Sequence, residues 1–537
     1  MSKRIRFAEE THRGIDRGVE QIVAAIRPTL GPLPRATGVE RPDRALLPEL
    51  LDNGAAIARR IVALPDEHED PGAMYVRGFL WRIHEEVGDG TATAASLFGA
   101  LLAAGRTALT SGISAQQLRP RLEAVAELVR EGLAAQAVQC ESRDHLVQIA
   151  RGVCHDDELA ELLGDVFDVA GEFGQVAVLP SNRRESWREF VQGCYWEGGA
   201  HSTAMLEDQI RMRGDLIEPA LALTNLDLDE PSELFPALGA AMTSGAQGLV
   251  VIAKSISARA VSLLMANSRP EFPVVAVKIP GFGEEGRRAT LEDLALMTGG
   301  RVFWEAAGDR IELIRMADLG RARQARIDPQ HFGIVSGQGN ARAIRVRIDQ
   351  MSKFYDHSVD SKERAWARER LQSFHGISST VWVGGDSDLG AKGRLDRAKR
   401  AVQVLREAIH GGTVPGGGAA LLACKSDLTK RLAKTSGETE RAALRIVIQA
   451  LDAPFRTILA NCGYETAAPL ARIERGKRGL GFDALTGKVV DMRAAGIVDP
   501  LAVTTAAVTG AIRSVALALT IDTIVHTRST EISVDPE

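Results

Sequence analysis

A short turn, Gly88-Asp89-Gly90-Thr91-Ala92-Thr93, joins two stretches in which apolar residues recur every three to four positions. That spacing is typical of helices, so the turn ends one helix and opens the next. A helix N-terminus presents unpaired backbone N–H groups and positive dipole potential, both of which favour phosphate. Asp89 adds a hard oxygen ligand of the kind that Mg²⁺ prefers, and Thr91 and Thr93 add hydroxyls. The stretch indicates either a phosphate site or an ordinary capped helix, with equal weight.

The length of the chain predicts more than one domain, because 537 residues exceed the roughly 250–300 at which a single core stops growing. A hydrophobic share of 45% and a charged share of 25% are typical of water-soluble proteins. The net charge of −5 lacks the basic excess of a nucleic-acid binder. No apolar run approaches the length of a membrane span, and the N-terminus lacks the apolar run of a secretion signal.

The five cysteines are widely spaced and form no CxxC motif. This usage predicts a reduced, cytoplasmic protein without structural zinc. The consecutive residues Cys154-His155-Asp156-Asp157 lack the spacing of metal ligands and favour a polar turn. The cysteines are Cys140, Cys154, Cys194, Cys424 and Cys462.

Helical periodicity dominates both ends of the chain, whereas strand and helix patterns alternate in the middle. Apolar runs at 248–253 and 273–279 flank a helical pattern at 258–267, which predicts a βαβ unit with parallel strands. An apolar stripe at 444–459 predicts one long helix kinked at Pro454. The simplest arrangement nests an α/β domain inside a mixed domain, and that domain inside a helical domain built from both chain ends.

Further motifs accompany the phosphate turn in a fixed order along the chain. A second glycine-rich turn, Pro415-Gly416-Gly417-Gly418, also opens a helix. The other motifs are Thr29-Leu30-Gly31-Pro32, Lys278-Ile279-Pro280-Gly281-Phe282-Gly283, Leu296-Met297-Thr298-Gly299-Gly300, Ala453-Pro454, Asn461-Cys462-Gly463, Gly481-Phe482-Asp483-Ala484 and Asp499-Pro500. Together they resemble the group I (bacterial, GroEL-type) chaperonins, over nearly the whole chain.

The resemblance implies a multi-domain fold of α and α/β type with chaperonin architecture. It places a helical equatorial domain, which binds ATP and forms the ring, at 1–135 and 411–537. A small intermediate hinge domain is expected at 136–191 and 376–410. An α/β apical domain, which binds substrate, is expected at 192–375, so that the three domains are nested by insertion.

The resemblance also implies that ATP and Mg²⁺ are the cofactors, with Asp89 as the metal ligand. The residues implied in nucleotide binding are Thr29, Leu30, Gly31, Pro32, Gly88, Asp89, Gly90, Thr91, Ala92, Thr93, Gly417, Ala484 and Asp499.

The catalytic positions depart from the family pattern. The family's catalytic carboxylate lies sixteen residues before the position of Gly416, where this chain has Arg400, and a second family acid corresponds to Asn53. Arginine stays protonated and cannot serve as a general base, although it is suited to pair with a γ-phosphate. Asp396 lies one helical turn before Arg400, and a slipped alignment restores a carboxylate there. Asp52 precedes Asn53 in the turn and is expected to point elsewhere.

The substrate-binding positions also depart in part. The resemblance assigns an exposed apolar groove to Phe235, Leu238, Val261 and Met265 on two helices, together with a neighbouring loop. The loop carries Ala200, His201, Ala204 and Met205 where the family has mostly aromatic and large aliphatic residues. Because one aromatic side chain buries about 150–250 Å², their loss is expected to weaken binding. The four helix residues fit an ordinary core equally well.

Three functions are compatible with these features. The first is an ATP-driven chaperonin that binds unfolded or partly folded polypeptides in a homo-oligomeric cytoplasmic ring, with a GroES-type co-chaperonin as a candidate partner. The second is a chaperonin-like holdase or scaffold that binds ATP and hydrolyses it weakly or not at all. The third, an unrelated metabolic enzyme, is disfavoured by the ordered set of motifs. No nucleic-acid or membrane partner is expected.

Overall fold

The chain forms two compact units, one inserted into the other along the sequence. The computed structural model describes residues 4–40, 48–140, 142–206, 212–281, 283–358, 360–375 and 377–526. Unit 1 contains residues 1–168, 180–186 and 383–537, and unit 2 contains residues 169–179 and 187–382. Both chain ends therefore belong to unit 1, as the nested arrangement predicts. The finer boundaries of three domains stay a prediction.

Helices make up most of unit 1, and helices that belong to unit 2 pack against the sheet of unit 2. Their bounds are α1 (Ala8–Ile26), α2 (Gly54–Arg60), α3 (Asp70–Val87), α4 (Thr91–Thr110), α5 (Ala115–Ala134), α6 (Arg143–Cys154), α7 (Asp157–Ala170), α8 (Phe235–Thr243), α9 (Ala258–Asn267), α10 (Gly283–Thr298), α11 (Ala341–His357), α12 (Ser361–His375), α13 (Asp388–Gly411), α14 (Ala419–Leu432), α15 (Glu438–Ala450), α16 (Ala453–Asn461), α17 (Ala467–Glu474) and α18 (Leu501–Ala518).

The strands that lie wholly in unit 1 have three or four residues, whereas the strands of unit 2 have two to eight. Their bounds are β1 (Arg4–Phe7), β2 (Thr37–Val39), β3 (Glu49–Leu51), β4 (Gln175–Pro180), β5 (Trp187–Gln192), β6 (Cys194–Glu197), β7 (Gly214–Ile217), β8 (Pro219–Thr224), β9 (Asp227–Leu228), β10 (Gly248–Ala253), β11 (Ser255–Ile256), β12 (Val274–Lys278), β13 (Val302–Phe303), β14 (Gly320–Ile327), β15 (His331–Gly337), β16 (Ile377–Val383), β17 (Thr413–Pro415), β18 (Leu480–Asp483), β19 (Lys488–Asp491), β20 (Val498–Pro500) and β21 (Thr523–His526).

The core of unit 1 is built around α4 and α18, which pack against each other. Phe98 and Leu101 on α4 and Ile512 on α18 are almost fully buried. Both helices are long and apolar enough to cross a membrane by length and composition alone. That is weak evidence for a membrane span, because buried helices in globular cores meet the same criterion. About half of each helix is buried inside the protein.

The first and the last described strands pair in a small antiparallel sheet in unit 1. Strand β1 pairs with β21 so that Arg4 lies opposite His526 and Phe7 lies opposite Thr523. A second pair, β2 with β3, places Glu49 opposite Val39 and leads into the turn at Asp52. The sequence patterns did not predict either pair.

Unit 2 contains a mixed sheet in the order β12-β10-β8-β14-β15-β6, with β7 and β13 beside it. Strand β10 runs parallel to both β8 and β12, with Leu249 opposite Ala220 and Val274. Helix α9 connects β10 to β12, so the predicted βαβ unit is confirmed. Strands β8 and β10 are buried along their whole length, which explains why their sequences are continuously apolar.

The predicted kinked helix at 444–459 is wrong. Helix α15 ends at Ala450, and a separate helix, α16, begins at Ala453. Pro454 lies in the first turn of α16, where a residue without an N–H costs no helical hydrogen bond. The predicted polar turn after Val153 is confirmed, because α6 ends at a left-handed His155 before α7 begins.

Candidate functional site

The phosphate turn has the predicted form in unit 1. Helix α3 ends at the left-handed Gly88, and Gly90, with φ of 84°, begins α4 without a capping side chain. The N–H groups in the first turn of α4 are therefore available to an external acceptor. A Cβ on Gly90 would lie 2.8 Å from Val503 Cγ1, so the close contact as well as the positive φ requires glycine. Thr91 is buried, whereas Asp89, Ala92 and Thr93 are partly exposed.

The turn at Thr29-Leu30-Gly31-Pro32 shares its support with the phosphate turn. Asn461, at the end of α16, donates its side-chain N–H to the carbonyl oxygen of Leu30 at 2.8 Å. Gly31 has φ of 114°. Helix α16 is also linked to α4 by a 2.9 Å hydrogen bond between Thr457 and Ser96. Helix α16 thus holds the Leu30 turn and also contacts α4, which gives Asn461 in the Asn461-Cys462-Gly463 motif a structural role that the sequence did not reveal.

Ala484 lies in an apolar cluster against which the Leu30 turn packs. It is buried in a cluster with Phe455, Ile458 and Phe482, and Leu30 packs against that cluster. The Tyr464 ring meets Phe482 edge to face, with 5.0 Å between ring centroids. The structure therefore brings together Leu30 and Ala484, two residues that are 454 positions apart in sequence.

The second glycine-rich turn places a carboxylate beside Asp89. Strand β17 pairs with β20 so that Val414 lies opposite Asp499, and Gly418 begins α14 with φ of 81°. Burial and the negative charge of Asp89 raise the pKa of Asp499 to about 6, although the Gly417 N–H donates to its carboxylate. Two acidic side chains are thus close enough to repel each other.

We expect Asp499→Asn to stabilise the nucleotide-free protein above pH 6, by about 1–2 kcal/mol once the partial solvent exposure of the Asp499 residue is allowed for. Because folding raises the pKa of Asp499 from 3.8 to about 6, the folded state binds the extra proton between these values. The parent protein therefore loses stability as the pH rises through this window. Thermal unfolding from pH 4 to 8 checks the prediction. A stability gain that is equal at pH 4 and pH 8 would contradict it.

The turn of Asp52, Asn53 and Gly54 lies directly against the start of α4. The Asn53 side chain accepts a hydrogen bond from the Ala55 N–H at 2.9 Å and so caps α2. A Cβ on Gly54 would lie 2.9 Å from the hydroxyl oxygen of Thr91. The residue at the second expected acid position is therefore neutral and its oxygen is already engaged in a helix cap.

Arg400 occupies the other expected acid position and pairs with Asp52. The distances from Asp52 are 3.0 Å to Arg397 and 3.4 Å to Arg400, both on α13. The expectation that Asp52 points elsewhere is therefore wrong, because its carboxylate faces these two guanidinium groups. Asp396 is exposed and forms no ion pair within the part of the chain that the structure describes.

Two histidines near this ion cluster were not predicted. Burial lowers the pKa of His84 and of His155, and the positive charge of Arg400 lowers both further. Asp89 opposes this lowering at both imidazoles, so its charge also lies near them. The turn that holds His155 is fixed to α13 by Asp156, whose carboxylate pairs with Arg394 at 2.8 Å. Neither histidine stood out in the sequence, because His84 is a single histidine within a helix and His155 a single histidine in a polar turn.

The predicted substrate-binding residues in unit 2 divide into exposed and buried groups. Phe235 is 55% exposed and Met265 is 40% exposed, and Val261 packs partly against the core. Leu238 and Met205 are only 6% and 8% exposed, so both pack in the core of unit 2. Among the loop residues, Ala204 is exposed, His201 is partly buried and Ala200 is buried.

Known proteins match this chain in both sequence and fold. The sequence model of the TCP-1/cpn60 chaperonin family matches residues 22–529. The chain belongs to this family. Its fold matches a crystal structure of the chaperonin gp146 from the bacteriophage EL 2 (Pseudomonas aeruginosa), obtained in the presence of ATP-BeFx, with a TM-score of 0.76 and 17% identity. The match covers 98% of this chaperonin and 99% of the phage protein.

A second crystal form of the same phage protein matches with a TM-score of 0.66 and 16% identity, again over 98% and 99% of the two chains. At this identity the likeness shows the fold of the chaperonin. Within the described residues, no group of three or more His, Cys, Asp or Glu side chains is arranged to hold a metal ion.

Proposed function

We propose that this chaperonin binds Mg-ATP at the turn formed by Gly88, Asp89 and Gly90, and hydrolyses it slowly or not at all. The observation that carries the proposal is the uncapped start of α4, where Gly54 lies against Thr91 and the carboxylate of Asp499 lies near Asp89. The phage protein of the same fold was crystallised with ATP-BeFx, which supports a nucleotide in this pocket. The remaining proposed contacts are Thr29, Leu30, Gly31, Pro32, Thr91, Ala92, Thr93, Gly417, Ala484 and Asp499.

The acidic residues fit a hard cation. Asp89 is the proposed Mg²⁺ ligand, because proteins bind this ion through one or two carboxylates together with substrate phosphates. The repulsion between Asp89 and Asp499 supports this assignment, since a divalent cation between carboxylates and phosphates relieves it. Bound Mg²⁺ supplies charge neutralisation for the triphosphate, and the chain supplies the backbone N–H groups of α4.

The weak hydrolysis follows from what occupies the two acid positions. Asn53 caps a helix, and Arg400 is a permanent cation, so neither accepts a proton from water. General-base catalysis contributes about 10²–10⁴ in rate, and that contribution is absent here. Arg400 pairs equally well with a triphosphate before and during reaction, which tightens binding without raising the turnover.

In unit 2 we propose a surface that binds unfolded or partly folded polypeptides. Phe235 and Met265 are exposed and apolar, and Val261 lies partly exposed between the core and this surface. A cavity of about 240 Å³ adjoins Met265, lined by Ala204 and Met205 among others. Leu238 and Met205 contribute packing beneath the surface. The absence of aromatic residues at the loop positions favours weak binding of clients, which suits a holdase or scaffold.

We also propose that the protein is cytoplasmic, and that 1–135 with 411–537 form the equatorial domain, 136–191 with 376–410 the intermediate domain and 192–375 the apical domain. The equatorial domain would supply the contacts between subunits of a ring. A co-chaperonin of the GroES type remains a candidate partner. Assistance with folding, driven by ATP, is the alternative to a holdase role.

The first test concerns assembly. We expect light scattering to report a particle several times heavier than the 57.7 kDa subunit at micromolar concentration. We expect assembly because unit 1 is a large, mainly apolar helical unit suited to subunit contacts, and because the chain belongs to the chaperonin family. Only a monomer, with and without Mg-ATP, would reject the ring.

A further inference from the structure

The carboxylate of Asp52 is shared between two guanidinium groups of one helix. Arg397 Nη1 lies 3.0 Å from one carboxylate oxygen, and Arg400 Nη2 lies 3.4 Å from the other. Both arginines project from α13 toward the turn that follows β3. The side chain of Asp52 is 30% exposed, whereas that of Arg400 is 14% exposed. The cation pair is therefore more enclosed than the anion that holds it.

The two arginines are incompletely satisfied by Asp52. The Nε atoms of Arg397 and Arg400 are both buried and have no hydrogen-bond partner among the described residues. A buried donor without an acceptor is unfavourable, most of all on a charged group. Two positive charges also face one negative charge in this cluster. A second negatively charged hydrogen-bond acceptor would therefore balance the charge and pair the two Nε donors.

The same helix lies against the phosphate turn. Gln403, three residues after Arg400, is so near Gly88 that a Cβ there would be 2.7 Å from the Gln403 side-chain oxygen. The Asp52 turn also contacts the start of α4, through Gly54 and Thr91. His155 is electrostatically coupled to both Asp89 and Arg400. The arginine pair therefore lies near the phosphate turn.

We propose that Arg397 and Arg400 form a sensor for the terminal phosphate of a nucleoside triphosphate, and that Asp52 is the internal anion that they release when this phosphate binds. The proposal rests on the proposed nucleotide site. Carboxylate and phosphate both match the forked geometry of a guanidinium group, and a phosphate offers three oxygens where a carboxylate offers two. When the terminal phosphate replaces Asp52, its oxygens supply hydrogen-bond acceptors for the buried Nε atoms.

The exchange makes the pocket selective for a triphosphate over a diphosphate. A diphosphate lacks the group that reaches the arginine pair, so the pair remains on Asp52 and contributes nothing to affinity. A triphosphate gains the arginine contacts and loses the ion pair with Asp52. Asp52 therefore sets the affinity for the triphosphate by competing with its terminal phosphate.

The test measures binding of ADP and of the non-hydrolysable β,γ-imido analogue of ATP, each with Mg²⁺, to the full-length assembly by calorimetry. We expect Asp52→Asn to tighten binding of the analogue about tenfold, the order of one charge-assisted hydrogen bond, and to leave ADP affinity unchanged. We expect Arg400→Gln to reduce the preference for the analogue over ADP by about the same factor. This second variant also keeps the test valid if Asp52→Asn does not fold.

The matched control is Asp156→Asn, which removes a carboxylate paired with Arg394 on the same helix. Asparagine preserves the cap that Asp156 provides to the N–H of Leu159. We expect this control to leave the ratio of the two affinities unchanged.

The possible outcomes distinguish failure of the sensor proposal from failure of the proposed nucleotide site. If Asp52→Asn or Arg400→Gln changes both affinities by one common factor, the sensor is rejected and the nucleotide site stands. The same holds if neither variant changes the ratio of affinities. If the parent protein binds neither nucleotide, the proposed function fails, and the sensor fails with it.

Discussion

Replacing Asp89 by alanine is expected to abolish Mg-dependent ATP binding and to leave the fold intact. Asp89 is partly exposed in a turn and lies near a second carboxylate, so its removal disturbs no buried packing. A carboxylate at a phosphate site acts mainly through its metal, because without the metal it repels phosphate. Calorimetry with Mg-ATP, and with ATP in the presence of a chelator, measures the effect.

Asp396→Asn is the matched control for this experiment, because it removes an exposed carboxylate that forms no ion pair within the described residues. We expect the control to bind Mg-ATP like the parent. If Asp89→Ala also binds Mg-ATP as tightly as the parent, the pocket has been assigned to the wrong turn.

The second large effect concerns the rate of hydrolysis. We expect the parent protein to turn over ATP at least about 10²-fold more slowly than a chaperonin that carries both acids. The combined change Arg400→Asp and Asn53→Asp is expected to raise turnover at least about tenfold, because it restores carboxylates at both positions. The variant loses the α2 cap only in part, since aspartate also caps helices. Steady-state phosphate release at saturating Mg-ATP measures the rate.

The competing explanation is that the active site has moved to a neighbouring acid. Asp52 and Asp396 are the two candidates, and Asp52 is held by Arg397 and Arg400. If the parent shows robust ATPase activity that Asp52→Asn or Asp396→Asn removes, the weak-hydrolysis account is wrong. Loss of ATPase activity in the Asp52→Asn variant would identify Asp52 as the residue that orients the attacking water.

The sequence was sufficient for those features that depend on local pattern. The βαβ unit around α9 followed from two apolar runs and a helical pattern, since parallel strands are buried on both faces. The phosphate turn followed from glycines that must adopt positive φ where two helices meet. Neither inference requires knowledge of a distant residue.

The sequence was insufficient where the outcome depends on residues that are distant along the chain. Asp52 and Arg400 are 348 positions apart, so no local pattern could show that their side chains meet. Likewise, the apolar residues Leu238 and Met265 have the same character in sequence, yet the first is buried and the second exposed. The strand at Arg4–Phe7 has alternating apolar residues, but four residues are too few for a reliable signal.

The claim that this chaperonin binds ATP without efficient hydrolysis is tested most directly by two readings on one preparation of the parent protein. The first reading is the dissociation constant for Mg-ATP, and the second is the steady-state rate of phosphate release at saturating Mg-ATP. We expect clear binding together with turnover at least about 10²-fold below that of a chaperonin with both acids, measured in parallel. Turnover equal to that of the reference chaperonin, or no binding at all, would contradict it.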